Sequence, residues 1–277
     1  MNNNQKYDIR QEQSIELLKE LHILTRDGKM NQDSRRKLKQ VYHLYQFIEP
    51  LLNELYKTNN TISLVDHGAG KSYLGFILYD LFFKSKEDNF HIYGIETRSE
   101  LVIKSTALAT SLNFKQMSFL NLSVSESITS NLLPNTIDIV TALHACDTAT
   151  DDAINFALNK KSKYIVLVPC CQAELASIIQ KTKPQNILGE MWRHPIHARE
   201  FGSHITNVLR GLLLEAKGYD VTITELVGWE HSMKNELIIA RYNNRKDNKS
   251  INNASQKLEE LLENLGLKEK LKNRFLF

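Results

Sequence analysis

Residues 61–76 read TISLVDHGAGKSYLGF, and the reading of this stretch decides the fold. The apolar run 62–65 stops at Asp66. Two glycines follow, Gly68 and Gly70, and the pattern then turns helical, with Leu74, Ile77, Leu78 and Leu81 on one face and Phe82 beside it. The pattern predicts a strand, a tight glycine turn and a helix. In a doubly wound α/β sheet, that junction is where a nucleotide-like ligand lies against backbone at a strand's carboxyl end. Glycine suits the turn because a side chain would block close approach, and because the turn can require positive φ.

Two phosphate-binding readings fail on spacing. Gly70-Lys71-Ser72 has the tail of a P-loop, but that loop needs a glycine five residues before Gly70, where Val65 stands inside the strand. The dinucleotide fingerprint needs its third glycine where Tyr73 stands. What remains is Asp-x-Gly-x-Gly. That pattern suits a pocket for S-adenosylmethionine (SAM), with Asp66 near the sulfonium and amino-acid end and Gly68 and Gly70 beneath the ribose. Lys71 becomes a side chain at the helix start.

Moving outward, residues 90–95 predict a second strand that ends at Glu96. An acid at that point is the usual acceptor for ribose hydroxyls, and it can also cap the next helix. A helix over 99–112, a strand over 114–119 and a buried strand over 137–143 follow. His144-Ala145-Cys146-Asp147 closes the last of these, and Pro169-Cys170-Cys171-Gln172 closes a fifth strand at 164–168. This alternation predicts an α/β fold, a Rossmann-like parallel sheet with helices on both faces and its polar or reactive residues along one edge. Downstream come a helix over 196–217 stopped by Gly218, and two strands, 221–227 and 236–242, joined by a loop that carries Lys234-Asn235.

At the other end, residues 11–24 predict an amphipathic helix. A second helix over 33–55 opens on the basic run Ser34-Arg35-Arg36-Lys37-Leu38-Lys39, and Pro50 is expected to interrupt or kink it. Residues 243–255 read as a polar linker before a last amphipathic helix marked by Leu258, Leu261, Leu262 and Leu265. The chain thus divides into an N-terminal helical extension (1–58), a central domain (59–243) and a tail (244–277).

With 42% hydrophobic residues in 277, the chain has enough apolar material for one sizeable core. No run approaches the roughly 20 apolar residues of a membrane span, and the first residues lack the apolar segment of a signal peptide. Three cysteines form no disulfide framework, so a soluble protein of a reducing, cytoplasmic compartment is expected. A net charge of +3 and pI ≈ 8.6 permit a polyanionic partner without demanding one.

Taken in order, DHGAGKSYLGF, GIETR, LHACDTATDDAI, VPCCQ, RHPIHARE and EHSMKNELIIARY resemble the class I SAM-dependent methyltransferases of the methyltransferase domain 32 family, over roughly residues 35–242. The resemblance implies an antiparallel last strand inserted beside the fifth, and SAM as cofactor. This chain departs from the family's pattern with His67 and Ala69 in the glycine turn and with Asp147 where an HACG-like segment is usual.

Methyl transfer needs proximity, orientation and, for a weak nucleophile, a base. The catalytic candidates are His144, Asp147, Cys170 and Cys171, with His144 also placed to flank the adenine. The cofactor-binding set is Asp66, Gly68, Gly70, Glu96 and His144. The Asn-Pro-Pro-Tyr segment usual in enzymes that methylate exocyclic base amines is missing after the fourth strand. A thiolate mechanism is opposed by Asp147 beside Cys146, because thiolates need an electropositive setting. Cys170 and Cys171 also read as small packing residues.

His194, His197 and His204 lack the companion ligands of a metal site, so no metal is expected. Arg193, His194, His197 and Arg199, with Lys234, Asn235, Arg35 and Arg36, read instead as substrate contacts. RNA is the expected acceptor, without DNA sequence reading. A protein or small-molecule acceptor, or a non-catalytic binding module, are the alternatives.

Overall fold

A computed structural model describes residues 9–10, 12–86, 89–143, 147–169, 173–181, 187–226 and 236–276. The expected glycine junction is present. Strand β1 (Ile62–His67) leads through the turn into helix α3 (Tyr73–Leu78), which runs on as a π-helical turn over Tyr79–Phe83. Two helices precede β1, namely α1 (Ile15–Glu20) and α2 (Gln32–Thr58). After it come β2 (Phe90–Glu96), α4 (Ser99–Ser111), β3 (Met117–Asn121), α5 (Val124–Thr129), β4 (Ile139–Leu143), α6 (Thr148–Asn159) and β5 (Tyr164–Val168). The chain ends with α7 (Ala173–Lys181), a 3-10 turn (Ile187–Trp192), α8 (Pro195–Ala216), β6 (Tyr219–Glu225), β7 (Glu236–Tyr242), α9 (Asn248–Asn264) and α10 (Lys268–Phe275).

The seven strands form one sheet in the order β3-β2-β1-β4-β5-β7-β6. Strands β1 to β5 are parallel, and β7 enters antiparallel between β5 and β6. This is the Rossmann-like arrangement with the inserted last strand. Its carboxyl edge gathers the ends of β1, β2, β4 and β5, which is where such sheets bind ligands.

Alternation along β1 divides the core. Ile62 and Leu64 face α2, α3 and α4, whereas Val65 faces the layer of α6, α8, α9 and α10. The central strands β1, β4 and β5 are buried almost throughout because helices cover both faces. β5 is buried at every position.

Helix α2 forms because apolar residues recur at three and four, namely Leu38, Val41, Leu44, Tyr45, Ile48, Leu52 and Leu55, all buried. Asn31 caps it by accepting from the Ser34 N–H at 2.7 Å. It runs unbroken through Pro50, against the expected interruption. At its far end the Asn59 Nδ2 donates to Asp138 Oδ1 at 2.6 Å. The other Asp138 oxygen accepts from the Ser63 N–H and hydroxyl at 2.7 and 2.8 Å. Asp138 immediately precedes β4, so the C-terminal end of α2 is pinned to the amino edge of the sheet. The basic start of α2 therefore stands at the carboxyl edge.

The tail differs from expectation. The stretch read as a polar linker is largely helix α9, capped by Asp247, whose Oδ1 accepts from the Ser250 N–H at 2.9 Å. Its Asn- and Lys-rich first turns are solvated, while Ala254, Leu258 and Leu262 pack inward. Polarity marked the exposed face of a helix there. The sixth strand also starts earlier, at Tyr219, and the third starts later, at Met117.

Asp138→Ala leaves the Ser63 N–H without its acceptor and frees the end of α2. Urea unfolding should show a loss of about 1–3 kcal/mol, seen as a lower midpoint at unchanged slope.

Candidate active site

The glycine turn is built on a buried carboxylate. Asp66 is only 2% exposed and sits at the end of β1. Its Oδ2 accepts from the Ser72 hydroxyl and its Oδ1 from the Thr141 hydroxyl of β4, each at 3.1 Å. Burial pushes Asp66 up to about 7, with the two hydroxyls pulling the other way. Ser72 holds a left-handed backbone, φ 49° and ψ 40°, which costs a non-glycine residue energy that this hydrogen bond offsets.

Above this anchor the turn is open. Gly68 and Gly70 adopt φ of +67° and +57°. A Cβ at Gly68 would meet nothing within 4 Å, and one at Gly70 would meet only the Arg98 Nη2, at 3.8 Å. The turn is thus a bare backbone cradle, as the cofactor reading requires. Lys71 leans away, into a separate cleft with Glu16, Glu20 and Lys104.

Glu96 ends β2 beside that cradle. Its Oε2 accepts from the Gly70 N–H at 2.8 Å, and its Oε1 from the Arg98 N–H at 3.0 Å. The Arg98 guanidinium closes over the same carboxylate through Nε and Nη2, both at 3.0 Å. Burial alone would raise Glu96, but the Arg98 and Gly70 hydrogen bonds bring it down to about 2. The carboxylate that was expected to take ribose hydroxyls is therefore ionised, rigidly aimed and covered by a half-exposed arginine. Asn121, at the end of β3, fixes the same loop by donating to the carbonyls of Glu96 and Thr97 at 3.0 and 2.8 Å.

His67 lies on the opposite side of β1 from Asp66. Its ring is buried against Phe156, 5.3 Å between centroids, and neither nitrogen has a partner among the described residues. Burial lowers it to about 4, so it is neutral at pH 7.

Asp147 was expected among the catalytic candidates. The structure engages its carboxylate elsewhere, with Oδ1 and Oδ2 accepting from the Glu174 N–H at 3.2 and 3.1 Å in the first turn of α7. Its backbone has φ 52° and ψ −123°, and its carbonyl accepts from Arg210 Nη2 at 2.9 Å. Asp147 thus ties the segment after β4 to the segment after β5. Arg210 has no exposed surface and grips Asp151 with Nε and Nη2 at 2.8 and 2.9 Å. Arg274 of α10 reaches the same Asp151 and also Glu174.

The other candidates divide into two groups. His144, Cys146, Cys170, Cys171, Lys234 and Asn235 lie outside the described residues. Arg193, His194, His197 and Arg199 come together at the start of α8, on the carboxyl edge. The His194 and His197 rings meet at 5.4 Å, and Arg193 pairs with Glu190 at 3.1 Å. Arg35 and Arg36 are exposed on the first turns of α2, with Arg36 3.8 Å from Asp33. Among the described residues no group of three His, Cys, Asp or Glu side chains could hold a metal ion. No helix there is long and apolar enough to cross a membrane.

Sequence reasoning missed Arg98, Thr141 and Arg210. The signal for Arg98 was present, a cation two residues beyond the strand-end acid. Thr141 and Arg210 act through partners 75 and 59 residues distant, which no local pattern reports.

Residues 36–178 match the family described as methyltransferase domain, just over half of the chain. The chain belongs to that family of SAM-dependent methyltransferases. No curated protein matches it. Among solved structures, it is similar to magnesium protoporphyrin IX methyltransferase from Synechocystis PCC 6803 with bound SAH. That similarity is 11% identity over 82% of this chain and 95% of the other, with a TM-score of 0.49. It is also similar to a putative caffeoyl-CoA O-methyltransferase from Staphylococcus aureus (12% identity, 87% and 99% covered, TM-score 0.48). An rRNA methylase from Streptococcus thermophilus is a third (9% identity, 71% and 94% covered, TM-score 0.44).

Two tests address this site. On the reading that Glu96 takes the ribose hydroxyls, Arg98 competes for that carboxylate, and Arg98→Ala should tighten SAM binding roughly two- to fivefold, the worth of a half-exposed ion pair. Glu96→Ala should weaken it, and calorimetry reads both. The second test concerns pH. The folded state holds the Asp66 proton more tightly than the unfolded chain does, so that stabilisation is full below about 3.8 and lost as pH rises through about 7. His67 has the opposite sign, full above 6.5 and lost as pH falls through about 4. Relative to wild type, Asp66→Asn should shift the pH profile of Tm toward rising with pH between about 4 and 6.5, and His67→Leu toward falling. Thermal unfolding across that window decides, and parallel profiles would contradict the assignment.

Proposed function

We propose that this methyltransferase acts on RNA. The observation that carries this reading is the placement of Arg35, Arg36, Lys37 and Lys39. All four are exposed at the end of α2 that stands on the carboxyl edge, where the cofactor cradle opens. Clustered cations at a site's mouth are the electrostatic footprint of a phosphate backbone. The exposed Arg193 and Arg199 at the start of α8 extend basic side chains along the same edge, although Glu190 and Glu200 offset them.

When bound, SAM supplies a methyl group on a sulfonium, already activated for in-line displacement. The chain's own residues then have mainly to bind and to orient. Gly68 and Gly70 let the backbone approach closely, and Asp66 keeps that turn in one shape. Glu96, ionised throughout the neutral range, presents acceptor oxygens for a ribose diol once Arg98 yields. Asp147, held by the Glu174 N–H, ties the start of α6 to the first turn of α7. His144 is the candidate to take the proton that the acceptor loses as it gains the methyl group, and the cysteines are candidates to shape the acceptor's surroundings.

Methyl-labelled SAM incubated with the protein and a lysate of a strain lacking it should place label in the RNA fraction. Label confined to protein or to small molecules would overturn the RNA reading. Binding to single-stranded RNA should fall with salt. Each phosphate contact contributes a slope of about 0.7 on logarithmic axes, so Arg36→Glu with Lys39→Glu should flatten the slope by roughly 1.4.

A further inference from the structure

A cavity of about 260 Å³ opens at the carboxyl edge, on the face of the sheet covered by α2. Its walls are apolar, formed by Ile23, Val41, Leu44, Leu143 and Leu226. Among the described residues, Tyr73 supplies its one aromatic surface. That residue is the first of α3 and follows Ser72, whose hydroxyl holds Asp66, so the cavity shares a wall with the cofactor turn. Leu143 is the last residue of β4, the strand that carries Thr141. The polar groups among its described lining residues are Lys37 and Gln40, one turn apart on α2 and so on one face of it.

Size and charge narrow the occupant. Pockets that engulf a whole ligand run roughly 300–1,000 Å³, so this one admits a single ring system. An aromatic wall among aliphatic ones suits a flat, apolar-faced ring. The Gln40 amide can donate and accept at a ring edge. Lys37 joins the cavity to the exposed cations Arg36 and Lys39, which favours an occupant attached to an anion. The larger cleft between α1 and α4 sets Glu16 and Glu20 against Lys71 and Lys104, and its described lining offers no Phe, Tyr or Trp ring to stack on.

We propose that this cavity takes one unstacked base of a single-stranded RNA acceptor, stacked on Tyr73, with Lys37 on the neighbouring phosphate. The inference rests on the RNA reading above and adds a place and a mode of binding to it. The base leaves its strand at the mouth formed by α2, so the N-terminal helix is part of the acceptor site.

A pool of randomised single-stranded octaribonucleotides carrying 4-thiouridine tests this with the full chain. Photo-crosslinks should map to Tyr73 or to peptides within 37–44. Leu226→Trp, which fills the cavity, should weaken octamer binding at least tenfold while SAM affinity stays within twofold by calorimetry. Lys37→Glu is a surface change that spares the core and should weaken it at least fivefold, again without effect on SAM. If wild type binds SAM but neither binds the octamers nor labels RNA, the RNA reading falls and takes this inference with it. If wild type labels RNA while crosslinks map elsewhere and Lys37→Glu binds octamers like wild type, the cavity assignment alone is overturned. Label entering only protein or metabolites would also overturn it, by assigning the cavity another acceptor.

Discussion

The carboxylate of Asp66 is the constraint on which the site depends. An ionisable group at 2% exposure costs several kcal/mol unless it is neutralised or hydrogen-bonded. Here two hydroxyls from different elements, Ser72 and Thr141, meet it, and its proton affinity rises until it is held at about neutral pH. The same three residues join β1, β4 and the start of α3. The turn that leaves its backbone bare is thus fixed from below, by groups buried in the core. The shape of the turn is set by a polar contact inside the core, and the glycines leave its upper side bare.

A second polar web does the corresponding work on the other side of the sheet. Arg210 is fully buried, and its bidentate grip on Asp151 satisfies a charge that would otherwise be prohibitive there. Through the Asp147 carbonyl, the Glu174 N–H and Arg274, the segments after β4 and β5 are coupled to the last helix of the chain. The tail is therefore tied to the first turns of α6 and α7. Removing one member of such a web leaves partners charged and buried, which is why its effects should be strongly non-additive.

The sheet was legible from residues because period and punctuation agree with it. Apolar runs end in Asp66, Glu96, Leu143 and Val168, each followed by polar or special residues, and the helices between them carry three-and-four spacing. The open glycine turn was legible for the same reason, since it is local in sequence. What was not legible is long-range. Nothing near Asp147 says that its carboxylate will cap α7, so a residue beside a reactive-looking cysteine was read as chemistry. Nothing near residues 243–255 says that α8 waits to cover their sparse apolar positions, so helix α9 read as linker. Arg98 is intermediate: its position was visible, but its placement over Glu96 required the loop geometry that Asn121 imposes.

The N-terminal segment shows how packing settles what composition leaves open. Leu44, Ile48, Leu52 and Leu55 are at most 1% exposed and belong to one core with Ile62, Leu64, Phe76 and Tyr164. Burying four such side chains contributes roughly 1.5–3 kcal/mol each in the transfer sense, so α2 cannot lift from the sheet without exposing the core beneath it. A helix fixed that firmly is a rigid lever. Asp138 sets its lower end, and its length then dictates that Lys37 and Gln40 meet the carboxyl edge beside Tyr73. The basic turn is held in register with the cofactor cradle by hydrophobic packing along the intervening turns of α2. That rigid registration separates it from an ordinary solvated helix start, and the same registration would bring a bound strand's base to the level of the glycine turn.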